Sequence, residues 1–374
     1  MDNKYNIKNS IELTKQLKNV HLSPNSKFIS LDIKDMFTNI PVEETINIIQ
    51  QQLTVLDKDK NLIEQLVKVL RISLKQNYFS YNQEIYIQRD GLPMGSPLSP
   101  IISEIFLQQL ELQHIEQIKQ QFNIIFYGRY VDDIFIIYDD TLDNSDKITE
   151  HFNNLHPKLK FTLEKENKNS LNFLDLTIKR IKYHNNIIFN FNIYRKPTTS
   201  ELSINFNSFH PNNHKWANFH YLLNRLNNIP LSKNNYNREF RVILYIAKCN
   251  NFPINKVISL NNKIKVKLNN KKFTTLYNKP AQKKNWATLT YCGPISDKIN
   301  KVFNNSNINI GFKNNNYIQN KLKNMDHTTE KMNSSGIYEL KCKCKTKYIR
   351  KTSRKFKQRY QEHKYSFIYN YPEK

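Results

Sequence analysis

Asp32, Asp132 and Asp133 are the carboxylates of this 374-residue chain whose placement could support chemistry. Asp32 nearly ends the run Lys27-Phe28-Ile29-Ser30-Leu31-Asp32-Ile33, which reads as a buried strand. Asp132 and Asp133 separate two β-rich runs, 124–130 and 134–138, and so fall at the tip of a hairpin. Taken singly, each has an ordinary explanation. A strand-end aspartate is commonly a cap, and aspartate favours turns. Together, on adjacent strands, such carboxylates could hold two Mg²⁺ ions, with Mn²⁺ as an alternative. Two metals roughly 4 Å apart can activate an attacking hydroxyl and stabilise a leaving pyrophosphate. Phosphoryl transfer requires mainly positioning and charge neutralisation, which such a site provides.

Between these acids lies Gly91-Leu92-Pro93-Met94-Gly95-Ser96-Pro97-Leu98-Ser99-Pro100, which holds two of the chain's six glycines. That punctuation marks a shaped loop, and the apolar run 101–118 after it reads as a helix starting at Pro100. Glycines in such a loop let a ligand or another backbone approach closely.

The elements that must position these residues alternate in type. Pro41 opens a helix with Glu43 and Glu44 in its first turn, where the dipole favours them. A second helix covers 61–74, and residues 78–88 read as a strand pair around Asn82-Gln83. A helix over 145–155 and strands near 160–163, 171–180 and 187–194 follow. Mixed helices and hairpins predict an α+β fold, a sheet layered on helices. From about residue 205 the chain becomes helical, basic and Asn-rich, and a short α/β pattern resumes at 286–312.

The formal net charge is +25, which points to a polyanionic partner; an AT-rich coding bias toward Asn, Lys and Ile contributes to it. Four scattered cysteines fit a reducing compartment and exclude a disulfide framework. No apolar run is long enough to span a membrane, and the polar start Met1-Asp2-Asn3-Lys4 carries no secretory leader. The expected location is the nucleus, with the cytoplasm as the alternative.

The motifs resemble those of reverse transcriptases. Phe28-Ile29-Ser30-Leu31-Asp32-Ile33-Lys34-Asp35-Met36-Phe37-Thr38-Asn39-Ile40-Pro41 is similar to motif A, the 91–100 loop to motif B, Tyr130-Val131-Asp132-Asp133 to motif C, and Leu171-Asn172-Phe173-Leu174-Asp175 to motif E. Phe37-Thr38-Asn39-Ile40-Pro41, Leu92-Pro93-Met94-Gly95 and Tyr194-Arg195-Lys196-Pro197-Thr198 resemble the Penelope-like retroelements in particular. The resemblance implies a right-hand polymerase palm and a helical thumb. It implies that Asp32, Asp132 and Asp133 bind Mg²⁺, with the Ile33 carbonyl as a further ligand. Phe37 would be the steric gate beneath the incoming sugar, with plain core packing as its alternative. Met94 and Gly95 would lie against the nascent base pair, and Phe173, Leu174 and Asp175 would form the primer grip. Arg129 would pair with palm acids or with template phosphate, and Lys165 would donate a proton to pyrophosphate. The implied partners are an RNA template, a DNA primer or target, and dNTPs.

Gly336-Ile337-Tyr338 and Tyr348-Ile349-Arg350, followed by Arg359 and Glu362-His363, resemble the start of a GIY-YIG endonuclease. That likeness makes Tyr338, Tyr348 and Arg359 nuclease residues. Arg350 replaces a motif glycine, and the expected metal-binding glutamate would lie beyond Lys374, so no cleavage is expected. Cys342-x-Cys344 lacks the spacing of a zinc site, and zinc is not expected. Only 31 residues precede Asp32, fewer than a fingers subdomain needs; Arg71 and Arg89 are the basic residues available between motifs A and B.

The expected organisation is a residual fingers segment at 1–26, a palm at 27–180, a thumb-like basic helical region at 181–270, a connector at 271–332 and a partial GIY-YIG α/β module at 333–374. The expected activity is RNA-directed DNA polymerisation by a weak, truncated copy of a Penelope-like mobile element. The alternative is a non-catalytic nucleic-acid-binding remnant.

Overall fold

The computed structural model describes residues 4–56, 59–82, 84–141, 144–273, 285–303, 306–313, 331–333, 335–341 and 347–369. The chain forms two compact units, Met1–Ser208 with Asn213–Asn278, and Phe209–Asn212 with Lys279–Lys374.

The centre of the first unit is a four-stranded antiparallel sheet in the order β4-β5-β1-β6, built from β1 (Ser26–Ile33), β4 (Ile124–Tyr130), β5 (Asp133–Asp139) and β6 (Phe161–Lys165). Strand alternation gives the sheet two apolar faces. Ile29, Leu31, Ile33, Ile134 and Ile136 face a core that includes Phe106 and Ile115 of α5 (Ser99–Gln121) and Ile46 of α3 (Val42–Val55). Phe28, Phe135 and Ile137 face the other core, shared with a three-stranded sheet of β7 (Ser170–Phe173), β8 (Leu176–Tyr183) and β9 (Asn186–Ile193). A sheet covered on both sides has rigid strand ends, which suits a site placed there.

Local chemistry sets the helix starts. Pro100 occupies the first turn of α5, where its missing N–H costs nothing. Asn9 caps α1 (Ser10–Leu17) by accepting from Glu12 N at 3.0 Å, and Asp59 caps α4 (Lys60–Lys75) by accepting from Leu62 N at 3.2 Å. After α4 the hairpin β2 (Tyr78–Tyr81) and β3 (Glu84–Ile87) stands with every described side chain exposed. The remaining short elements of this part are α2 (Met36–Asn39) and α6 (Ser145–Asn154).

One expectation is revised, and two pairings add to the rest. The run 171–180 is not one strand but the hairpin β7–β8, turned at Leu174-Asp175. β9, assigned by sequence to the thumb-like region, pairs with β8 along its whole length. The segment at 5–7 runs beside β4: Ile7 N donates to Arg129 O at 2.7 Å, Arg129 N donates to Tyr5 O at 2.8 Å, and Tyr5 and Ile7 are buried.

Helices α7 (Asn212–Asn228), α8 (Lys233–Cys249) and α9 (Ile254–Phe273) enclose a third core of Phe219, Leu223, Ile243, Phe252 and Val257. The second unit contains a parallel βαβ unit of β10 (Asn285–Thr290), α10 (Pro294–Phe303) and β11 (Ile308–Lys313). It also contains an antiparallel pair, β12 (Gly336–Lys341) and β13 (Lys347–Thr352), followed by α11 (Phe356–Tyr369). Among the described residues no helix is long and apolar enough to cross a membrane.

Candidate functional site

Register brings the predicted acids together. Asp133 lies opposite Asp32 on one side and Tyr130 on the other, and Asp32 lies opposite Thr162. This row crosses one end of the four-stranded sheet, and Asp132 occupies the turn just beyond it. Ile33 N donates to Asp132 O at 3.1 Å, which ties the turn to β1. Electrostatics reflect the crowding. Burial, then Asp132, then Asp32 push the Asp133 carboxyl up to about 6, opposed by Lys196. Burial, then Asp132 and Asp35, raise Asp32 as well. Among the described residues no set of three His, Cys, Asp or Glu side chains is arranged to hold a metal ion. The fit to Mg²⁺ rests instead on mutually repelling carboxylates at a strand end, because Mg²⁺ commonly takes one or two carboxylates plus substrate phosphates and water.

The turn is held from behind by Arg129, which is 1% exposed. Its guanidinium binds Glu111 through Nε (2.7 Å) and Nη2 (3.0 Å), and Glu104 through Nη1 (2.9 Å) and Nη2 (3.1 Å). Tyr127 Oη also donates to Glu111, at 3.0 Å. Nη1 additionally donates to the Val131 carbonyl at 2.9 Å. Val131 has φ +57°, a strained conformation for a β-branched residue. Arg129 therefore pairs with acids of the palm, one of its two expected partners. It also fixes the peptide that sets the position of Asp132.

Phe37 lies on α2, half-buried against the helix-side core. Its carbonyl accepts from Leu92 N at 2.7 Å, which joins the segment after Asp32 to the 91–100 loop. Gly91 makes this approach possible. It has φ +73°, and a Cβ there would stand 2.2 Å from Thr38 O. Met94 is 74% exposed, and Gly95, φ +94°, has open space where a Cβ would point. Lys165 forms an ion pair with Asp146 at 2.7 Å. Arg71 pairs with Glu43 at 3.1 Å.

The residues matched to the primer grip divide. Phe173 is buried, its ring 5.3 Å from that of Phe135, so its side chain is core. Leu174, φ +55°, and Asp175 form the turn beside it. Asp175 accepts from Ser10 Oγ and, at 2.9 Å, from Arg225 Nη1 of α7, while Tyr194 N donates to its carbonyl at 2.8 Å. Arg225 also lies 3.9 Å from Glu239 of α8, and Glu239 takes Arg195 bidentately at 2.5 and 2.6 Å. This chain of ion pairs joins the turn to α7, α8 and the segment after β9. It has no local sequence signal.

In the second unit, Tyr338 Oη lies 2.6 Å from His363 Nε2 and accepts from Arg359 Nε at 3.1 Å. The Tyr348 ring stands 5.3 Å from that of His363, and its hydroxyl accepts from Arg350 Nη1 at 2.8 Å. Tyr338, Tyr348 and Arg359 thus cluster. His363, to which sequence reading assigned no role, sits among them four residues after Arg359 on one helix face. Cys342 and Cys344 fall outside the described residues.

Comparison with known proteins gives the following. Residues 3–205 match the family described as Reverse transcriptase (RNA-dependent DNA polymerase). A COX1/OXI3 intron 2 protein of Saccharomyces cerevisiae is 31% identical over 96 residues, covering 26% of this chain and 10% of that protein. A telomerase structure from Candida albicans, in complex with a fragment of telomeric RNA, covers 70% of this chain and 49% of its own, at 11% identity and TM-score 0.48. The Sicinivirus 3Dpol RNA-dependent RNA polymerase covers 68% of this chain at 13% identity and TM-score 0.38. The chain thus spans a tenth of the yeast relative and about half of the telomerase chain.

Proposed function

Because the chain belongs to the reverse transcriptase family, we propose that it catalyses RNA-directed DNA synthesis at the row formed by Asp32, Asp132 and Asp133. The observation that carries this reading is the register that sets Asp133 opposite Asp32 with Asp132 in the adjoining turn. Asp32, Asp132 and Asp133, with the Ile33 carbonyl, would hold two divalent cations. Those ions, when bound, neutralise the triphosphate and lower the pKa of the primer 3′-hydroxyl. The protein's own contribution is placement. Arg129 holds the turn, Phe37 would act as the gate against a 2′-hydroxyl, and Met94 and Gly95 would offer an open surface to the nascent base pair. Leu174 and Asp175 present a turn to the primer, and the basic helices would bind the duplex.

We assign the chain to a Penelope-like element on the strength of Phe37-Thr38-Asn39-Ile40-Pro41, Leu92-Pro93-Met94-Gly95 and Tyr194-Arg195-Lys196-Pro197-Thr198. The cluster of Tyr338, Tyr348, Arg359 and His363 supports a GIY-YIG-like module in the second unit.

The test is primer extension on an RNA template with Mg²⁺ or Mn²⁺, with Asp132→Asn as the control. Extension by the wild type and none by the variant supports the reading. Tight hybrid binding with no extension by the wild type would replace it with a non-catalytic nucleic-acid-binding role.

A further inference from the structure

The hairpin β2–β3 is unlike any other sheet of the first unit, because neither face is covered. Phe79, Tyr81 and Tyr86 share one face, and they are 53%, 69% and 40% exposed. Phe79 and Tyr86 are directly paired across the strands, their rings 5.6 Å apart and within 19° of parallel. Tyr81 adds a third ring 6.4 Å from Tyr86. The one acid on this face, Glu84, accepts from the Tyr86 hydroxyl at 2.7 Å. An isolated two-stranded hairpin gains little from its own pairing, and exposed aromatic patches of this kind mark binding surfaces.

The surroundings narrow the ligand. Lys75 and Arg89 flank the base of the hairpin, and both are exposed, without an acid partner among the described residues. Lys75 and Arg89 line the groove at the base of the hairpin, together with Glu43, Glu44 and Asp90. Exposed aromatic rings on a hairpin with cations at its base suit single-stranded nucleic acid, whose bases stack while its phosphates meet the charges. A protein-docking face would more commonly place its aromatics in a charge-depleted centre.

The hairpin is also fixed to the candidate site. Gln88 N donates to Asn77 O at 2.9 Å, and Gln88 Nε2 donates to Asp90 O at 2.7 Å. Leu92 N then donates to the Phe37 carbonyl. The platform and the nucleotide side of the site therefore belong to one hydrogen-bonded body.

We infer that the Phe79–Tyr81–Tyr86 face is a stacking platform for unpaired bases of the template strand, with Lys75 and Arg89 contacting its phosphates. The identification of that strand as template rests on the polymerase reading above; the stacking itself does not.

Fluorescence anisotropy tests it with two hybrids, one blunt and one carrying an unpaired 5′ RNA extension. The wild type should bind the extended hybrid more tightly. The variant carrying both Phe79→Ala and Tyr86→Ala should lose that advantage, by about tenfold or more, while binding the blunt hybrid unchanged. Phe79→Trp should retain it, and Tyr183→Ala, at an exposed ring on another hairpin, should not affect it. Tyr81→Ala supplies an independent loss of smaller size should the double variant melt early. An all-DNA extension should behave like the RNA one, since stacking reads the base and not the sugar.

An unchanged extension advantage in a variant that melts like the wild type overturns the inference. So does a wild-type dimer in sedimentation that the double variant dissociates without losing extension binding, which would make the face a protein interface. Failure of the wild type to extend primers bears on the polymerase reading alone, because the binding readout needs no turnover.

Discussion

Two turns of the same size carry an aspartate at the same place and treat it in opposite ways. Val131-Asp132 joins Tyr130 to Asp133, and Leu174-Asp175 joins Phe173 to Leu176. In both, the first residue is a bulky apolar one in left-handed backbone, φ +57° and +55°. Asp175 is neutralised by Arg225 and accepts a hydrogen bond from the Ser10 hydroxyl. Asp132 faces Asp32 and Asp133 instead. An acid with a cation partner serves the fold. An acid set among acids weakens it, and is tolerable where a divalent cation is to be held.

The contrast is broken most sharply by removing each acid in turn. Asp132→Asn should reduce extension by on the order of 10³-fold, comparable to losing a principal stabilising group in other active sites. Its melting temperature should not fall, because a like-charge repulsion is relieved. A variant that unfolds early would show that Asp132 has a structural partner after all.

Arg129 is the next largest lever. Arg129→Met strands Glu111, only 4% exposed, without its cation, and breaking a buried pair in this way costs about 3–5 kcal/mol. Urea denaturation should report that loss. Replacing Glu111 by methionine as well should recover much of it, since a buried pair exchanged for apolar groups is often neutral. Extension should stay impaired in the double variant, because nothing then holds the Val131 carbonyl. Recovery of activity together with stability would reduce Arg129 to a packing role.

Asp175→Asn is the counterpart of the first substitution and should have a smaller effect in a different readout. Losing a hydrogen-bonded charge pair costs about 1.5–3 kcal/mol, so the melting temperature should fall while extension persists at a reduced rate. Equal loss of extension in both asparagine variants would erase the distinction between the turns.

The sequence displays one of these turns and conceals the other. Asp132-Asp133 stands between two clear β runs, so the hairpin and its acids are legible from pattern alone. Leu174 carries no Gly, Asn or Pro signal, and 171–180 therefore reads as a single strand. The turn is tied down through Asp175 by Ser10 and Arg225, partners far away in sequence. The α+β class, the acid row and the Gly91 loop could be read from local chemistry. The partners of Arg129 were half visible, since Glu104 and Glu111 are seven residues apart on one helix face. The Arg195–Glu239–Arg225 chain was not visible, because ion pairing has no period. His363 belongs to the motif likeness, and its spacing of four from Arg359 is the local signal that sets it on the same helix face as that arginine.

The smallest expected effect is a dependence on pH in the metal-free protein. Asp133 titrates near 6 in the folded chain, chiefly through burial and then the neighbouring acids, against about 3.8 when unperturbed. Its protonated form is the one the fold favours. Below about pH 4 the group is protonated in both folded and unfolded states, and its favourable contribution is complete. As pH rises toward 6 the unfolded chain releases the proton first, so stability is lost across that window and is level above it. Melting temperatures in EDTA should therefore fall for the wild type relative to Asp133→Asn between pH 4 and 6. A parallel course of the two proteins through that window would mean that neither burial nor the neighbouring acids raise the Asp133 carboxyl. At pH 7, Mg²⁺ should raise the wild-type melting temperature more than that of the variant, because a ligand that binds the folded state stabilises it by mass action. Equal shifts would place the ion elsewhere on the protein.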